Sequence, residues 1–146
     1  MTEQLFILNG PNLNMLGRRE PHLYGLVTLS EIRERCQTLA GELGFDLFFG
    51  QTNAEGELIG WVHRAYDESA SVIINPAGFS TRSVPLLDAL RMLKQPVVEV
   101  HLTNIFAREP VYREPLTAAA AWGFLAGFGA EVYELGMRAL AARSGR

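Results

Sequence analysis

The sequence predicts an α/β fold, a parallel β-sheet with helices packed on both faces. Two observations predict it. Short apolar runs alternate with longer amphipathic ones along the whole chain, and the middle runs, "SVIIN" and "PVVEV", are almost continuously apolar. A strand covered on both faces has no wet side, so it does not alternate.

The elements follow in order. "LFILN" forms a first strand ending at Asn9, and a loop runs from Gly10 to Val27. "TLSEIRERCQTLAGELG" is a helix, with Thr28 and Glu31 at capping-box spacing and Gly44 where it stops. "FDLFFGQ" is the second strand. "EGELIGWVHRAYDE" carries Leu58, Val62, Ala65 and Tyr66 at helical spacing. "SVIIN" is the third strand, ending at Asn75. In "SVPLLDALRMLK", Ser83 caps a helix whose first turn tolerates Pro85. "PVVEVHL" is the fourth strand. "LTAAAAWGFLAGFG" reads as a helix, "AEVY" as a short fifth strand and "ELGMRALAAR" as the closing helix. Trp61, Trp122 and Phe124 then fall at helical positions, as core or interface residues. Five strands alternating with five helices imply right-handed crossovers. The commonest five-strand arrangement is the flavodoxin-like order 2-1-3-4-5, a three-layer single domain over residues 1–146.

Composition narrows the function. Net charge is -3 with the basic residues scattered, which gives no footprint for nucleic acid or a membrane surface. No apolar run approaches the roughly 20 residues of a membrane span, and "MTEQLFILNG" lacks the pattern of a signal peptide. The lone Cys36 suits a reducing cytoplasm and forms no internal disulfide. One cysteine and three scattered histidines, His22, His63 and His101, make no metal site.

In a doubly wound sheet the ligand lies beyond the carboxyl ends of the strands, at the switch point between strands 1 and 3. Asn9, Asn75 and the pair Glu99 and His101 end three adjacent strands and are expected at one crevice, whereas strand 2 ends in an ordinary Gly50-Gln51. The loop from Gly10 to Val27 is long enough to be functional and carries Asn12, Asn14, Arg18, Arg19, His22 and Tyr24. No G-x-G-x-x-G, Walker or G-x-S-x-G pattern occurs, and a phospho-acceptor site needs acidic residues where this chain has asparagine. Acid–base chemistry on a polar or anionic small molecule remains, with Tyr24, His101 and the arginines as actors. Taken singly, a loop tyrosine is usually a packing residue and a strand-end histidine a hydrogen-bonded one. His22 and His63 have no reading beyond that.

"ILNGPNLNMLGRREPHLYG", "QTNAEGELIGWVHRA", "IINPAGFSTRSVPLLDAL" and "EVHLTNIFARE" together resemble the type II 3-dehydroquinate dehydratase family, enzymes of the shikimate and quinate pathways. The resemblance runs from about Phe6 to Ala141. It implies a flavodoxin-like fold, no cofactor or metal, and a homododecamer built as a tetramer of trimers. It implies Tyr24 as the base that removes a proton beside a ketone, with Arg19, and Arg108 assisting, to favour the phenolate. It implies Asn12 as holder of a water against the developing enolate oxygen and His101 as the acid that protonates the departing hydroxyl. Glu99, on the same strand face, would hold the imidazole charged. Asn75 and the backbone of Leu102 and Thr103 match a carboxylate site, and Asp88 matches a residue that reaches a neighbouring subunit's site.

The resemblance fails in one region. The family's histidine near the end of "PAGFSTRS" falls on Thr81 with Arg82 beside it, its ring-binding arginine falls on Tyr112, and another histidine falls on Phe106. Three readings stay open. Arg82 and Arg113 replace the lost contacts to the remote ring hydroxyls, with Thr81 and Tyr112 still lining the ligand. Or the enzyme dehydrates another cyclic β-hydroxy ketone. Or the chain binds a ligand without turning it over.

Overall fold

The computed structural model describes residues 2–145. Five parallel strands, β1 (Glu3–Asn9), β2 (Phe45–Gln51), β3 (Ser71–Asn75), β4 (Val97–His101) and β5 (Gly123–Ala126), form one sheet in the order β2-β1-β3-β4-β5. The α-helices are α1 (Pro21–Tyr24), α2 (Leu29–Leu43), α3 (Glu55–Asp67), α4 (Val84–Arg91) and α5 (Glu131–Arg143).

The pleat divides the core in two. Leu5, Ile7, Ile73, Val98 and Val100 face α2 and α5 with Ile32, Cys36, Val132 and Met137. Phe6, Leu8, Val72, Ile74 and Val97 face α3 and α4 with Leu58, Val62, Leu86 and Leu90. Each such side chain contributes about 1.5–3 kcal/mol on leaving water. At Gly136 a side chain would stand 3.3 Å from Ile73 Cδ1, so its absence lets α5 lie close on the sheet.

The caps form largely as their residue types require. Thr28 Oγ1 accepts from the Glu31 N–H at 3.2 Å, while the Glu31 carboxylate returns to the Thr28 hydroxyl at 3.3 Å. Gly44 ends α2 in the left-handed conformation at φ 80. Ser83 Oγ accepts from the Leu86 N–H at 3.0 Å and donates to Glu55 Oε2 at 2.5 Å, tying α4 to α3.

The segment after β4 departs from expectation. No α-helix covers Leu116 to Gly129. Leu116–Ala120 is a 3₁₀ turn and Gly123–Ala126 is strand β5, paired with β4 from Val98↔Gly123 to His101↔Ala126. The expected strand at Ala130 to Tyr133 instead ends the turn into α5 and supplies its first residues, Glu131 to Tyr133. The alanines favour a helix by propensity. Three consecutive residues, Gly127, Phe128 and Gly129, nevertheless have φ of 92, 69 and 61, which no right-handed helix accommodates. Pairing along β4 also satisfies backbone groups that a helix here would leave open. The β4–β5 crossover therefore consists of 3₁₀ turns at Ile105–Ala107, Pro110–Tyr112 and Leu116–Ala120. Trp61 lies on α3 against Phe48, but Phe124 belongs to β5 and the half-exposed Trp122 precedes it, under Arg143.

Candidate active site

Beyond the carboxyl ends of β1, β3 and β4 lies a crevice of about 160 Å³, lined by Asn12, Arg19 and Tyr24 from the first loop, Asn75 from β3, and His101, Leu102, Thr103, Arg108 and Tyr112 from β4 and the segment after it.

The first loop is held by its neighbours. The Gly10 N–H donates to the Asn75 carbonyl at 2.8 Å, and a side chain at residue 10 would come within 2.5 Å of the Pro76 carbonyl oxygen, so only glycine permits this approach. Asn12, in the left-handed conformation at φ 70, donates its backbone N–H to Asn53 Oδ1 at 3.0 Å. Gln51 Nε2 donates to the Gly10 carbonyl and to Asn53 Oδ1, each at 3.2 Å. The end of β2, read from sequence as ordinary, thus buttresses the loop. Asn53 stands in the "QTN" run, but nothing local marks it as a partner of a backbone 41 residues away.

Tyr24 closes the short helix α1, which Gly25 ends at φ 82. Its oxygen accepts from Arg108 Nη1 at 2.8 Å and from Arg19 Nη2 at 3.3 Å. The Arg19 guanidinium also lies 4.5 Å from the Tyr24 ring centroid, and that of Arg108 4.1 Å from the Tyr112 ring. Burial pulls the Arg108 pKa down, but its hydrogen bond to Tyr24 and the charges facing it leave it above the ordinary arginine range, so this guanidinium stays charged. Its Nε is buried and, among the described residues, has no hydrogen-bond partner.

Across the crevice, His101 Nε2 meets Glu99 Oε2 at 2.7 Å, and among the described residues the other ring nitrogen, Nδ1, has no hydrogen-bond partner. Glu99 has no exposed surface, and its other oxygen accepts from Thr117 Oγ1 at 2.5 Å. A buried carboxylate is costly unless both oxygens are satisfied. Nothing local in the sequence marks Thr117, on the 3₁₀ turn before β5, as a partner of Glu99, because its alanine-rich segment has the pattern of a helix. The Phe124 ring stands 5.5 Å from that of His101.

Asn9 does not line the crevice. It is fully buried, donating to the Gly50 carbonyl at 3.0 Å and accepting from the Tyr133 hydroxyl at 2.6 Å. Burial pushes the Tyr133 phenol well above its usual range, a hydrogen bond from Asn75 opposes the shift and the nearby Cys36 adds to it.

The divergent residues are mostly turned elsewhere. Thr81 and Arg82 are not among the lining residues, Thr81 Oγ1 donates to the Gly78 carbonyl at 3.5 Å, and Arg82 is exposed. The buried Ser80 lines the crevice instead. Arg113 Nε donates to the Arg108 carbonyl at 2.6 Å. Phe106 is largely exposed, with its ring 6.0 Å from Phe124. Asp88 is on the exposed side of α4, outside the crevice. No helix among the described residues is long and apolar enough to cross a membrane.

Known proteins share this frame. The family model described as Dehydroquinase class II matches residues 3–141. A curated relative named 3-dehydroquinate dehydratase, from Brucella canis, is 50% identical over 142 residues, covering 97% of this chain and 90% of the relative. The crystal structure of type II dehydroquinase from Propionibacterium acnes superposes with a TM-score of 0.94 at 42% identity, covering 97% of this chain and 98% of that one. A 3-dehydroquinate dehydratase-like protein from Bifidobacterium longum superposes at 0.74 with 30% identity, covering both chains fully.

Proposed function

Because the chain belongs to the dehydroquinase class II family, we propose that it is a 3-dehydroquinate dehydratase, a hydro-lyase that removes water from 3-dehydroquinate to leave 3-dehydroshikimate. One observation carries the site assignment: a phenol oxygen that two guanidiniums hold, at 2.8 and 3.3 Å, in the crevice that His101 also lines.

A free phenol is almost wholly protonated at neutral pH, and donors that carry charge favour its anion. The Tyr24 phenolate takes a proton from the carbon beside the ketone, and the electron pair moves into an enolate. Asn12 holds a water against the enolate oxygen. When the ketone re-forms, the electron pair expels the β-hydroxyl, which leaves as water with a proton from His101. Glu99 faces the imidazolium that donates this proton. Positioned acid–base groups of this kind contribute about 10²–10⁴ in rate each. Asn75 with the backbone of Leu102 and Thr103 receives the substrate carboxylate. The same reading carries a homododecamer of four trimers acting in the cytoplasm, and the outward position of Asp88 on α4 suits a contact with a neighbouring subunit's site.

Purified protein incubated with 3-dehydroquinate is expected to raise the absorbance of the conjugated enone well above the uncatalysed rate. A rate equal to background overturns the reading.

A second reading has its own observation. Thr81 and Arg82 stay out of the crevice, Arg113 is bonded to a backbone carbonyl, and Tyr112 lies under the Arg108 guanidinium. That favours a cyclic β-hydroxy ketone with fewer or different groups on the far side of the ring. A higher kcat/KM for an analogue lacking the remote hydroxyls than for 3-dehydroquinate supports it, and the reverse order removes it.

A further inference from the structure

We propose that Tyr133 is a positioning residue, which locks the side-chain amide of Asn75 so that an N–H, not the carbonyl, faces the crevice. The argument rests on reading that crevice as the dehydratase site.

The two ends of an asparagine amide are distinguished by the network around them, and here the network has two fixed ends. At one end stands the Gly50 carbonyl, which only accepts, so Asn9 turns Nδ2 to it, at 3.0 Å. Asn9 Oδ1 is then an acceptor and receives the Tyr133 hydroxyl hydrogen at 2.6 Å. With its one hydrogen committed, the Tyr133 oxygen is an acceptor toward Asn75, whose Nδ2 donates to it at 3.1 Å. At the other end stands the Ala77 N–H, which only donates, and it meets Asn75 Oδ1 at 3.2 Å. Both ends impose the same direction. The second Nδ2 hydrogen of Asn75 has no protein partner among the described residues, and Asn75 lines the crevice. An acceptor oxygen such as a carboxylate completes it.

The relay is rigid as well as directional. Tyr133, Asn9 and Asn75 are all within 2% of full burial, so water does not replace a missing member. Tyr133 reaches two strand ends from the first turn of α5, linking residues 124 and 58 positions away. It touches no reacting atom and acts only through Asn75.

The test is Tyr133→Phe, which removes one oxygen and keeps the ring. With only the Ala77 N–H left to hold it, the Asn75 amide loses one of its two anchors and is less firmly fixed toward the crevice, and KM for 3-dehydroquinate is expected to rise about tenfold, as for a hydrogen bond to a charged group, while kcat changes less than about threefold. In an Asn75→Ala background, the same Tyr133→Phe change is expected to move KM less than twofold, since the residue it acts through is gone. An unchanged KM in Tyr133→Phe overturns the proposal, as does a KM effect of equal size in both backgrounds, or a loss confined to kcat. Asn9→Ala, which removes the acceptor of the Tyr133 hydroxyl, gives an independent route. It is expected to raise KM in the same direction, and no rise overturns the relay even if Tyr133→Phe fails to fold. Absence of turnover in the unaltered enzyme counts against the proposed function, whereas normal turnover with an insensitive KM counts against this inference alone.

Discussion

The Tyr24 phenol oxygen and Arg108 Nη1, 84 residues apart in sequence, meet at 2.8 Å, closer than the 3.3 Å between that oxygen and Arg19, five residues from it. The nearer guanidinium is also the better sequestered, its side chain 12% exposed against 29% for Arg19. The family resemblance puts Arg19 first and Arg108 second, whereas in the structure Arg108 is the nearer of the two to the phenol oxygen.

Both guanidiniums donate to one oxygen, so their effects on turnover are expected to be coupled. Arg108→Leu and Arg19→Leu are each expected to lower kcat by about 10- to 100-fold, the loss of one charge-assisted hydrogen bond. The double variant should lose less than the product of the two, because the second substitution removes a donor from a phenol already compromised. Steady-state kinetics on the four proteins of the cycle checks this, and a strictly multiplicative loss would place the arginines in separate roles.

Tyr24→Phe removes the proposed base and keeps the ring stacked near Arg19. Turnover of 3-dehydroquinate is expected to fall by about 10²–10⁴ or more, while calorimetry still finds the ligand bound with an affinity within about tenfold. Turnover close to that of the unaltered protein would assign the base elsewhere.

The sheet and most of its helices were legible because burial on both faces writes itself as continuous apolar runs, and because Thr28, Gly44 and Ser83 mark helix ends by chemistry that acts locally. The β4–β5 crossover was not. Its alanines carry helix propensity, while the fact that decides the matter, β4 needing a partner from Gly123 to Ala126, is a long-range one. The site divides the same way. Tyr24, Arg19 and Asn12 lie in one recognisable loop, and Glu99 and His101 share one strand face. Tyr133, Thr117 and Asn53 act across 124, 18 and 41 residues on groups whose need for a partner shows only in three dimensions.

Cys36 offers a test of the core. Fully buried on the inner face of α2, its thiol is pushed from 9.0 up to about 12, first by burial and then by Glu134, against a smaller opposing effect from Arg35. A group whose pKa is higher in the folded state supports folding at low pH and loses that contribution as pH rises through the interval between the two values. Stability is therefore expected to fall by up to about 1.4 kcal/mol per pH unit above pH 9 on account of this thiol. In Cys36→Ala, urea midpoints measured from pH 8.5 upward should decline less steeply than in the unaltered protein. Parallel declines would show that the thiol ionises as readily inside as outside. At pH 8 a thiol reagent should label the protein only in denaturant.

The last prediction concerns the carboxylate behind the imidazole. Glu99 Oε2 is taken by His101 and Oε1 by Thr117, and with no exposed surface there is no water to stand in for either. Thr117→Val keeps the shape of the side chain and deletes the hydroxyl, leaving a buried charged oxygen without a donor. Such a group costs about 1–3 kcal/mol or more, which the protein can relieve by turning the carboxylate away from His101. A kcat loss of about tenfold is expected, together with a lowered melting temperature. Thr117→Ser, which restores the hydroxyl without the methyl, should recover most of kcat while regaining only part of the melting temperature. That separation matters, since a residue that served packing alone would show the opposite pattern, with Val tolerated and Ser costly.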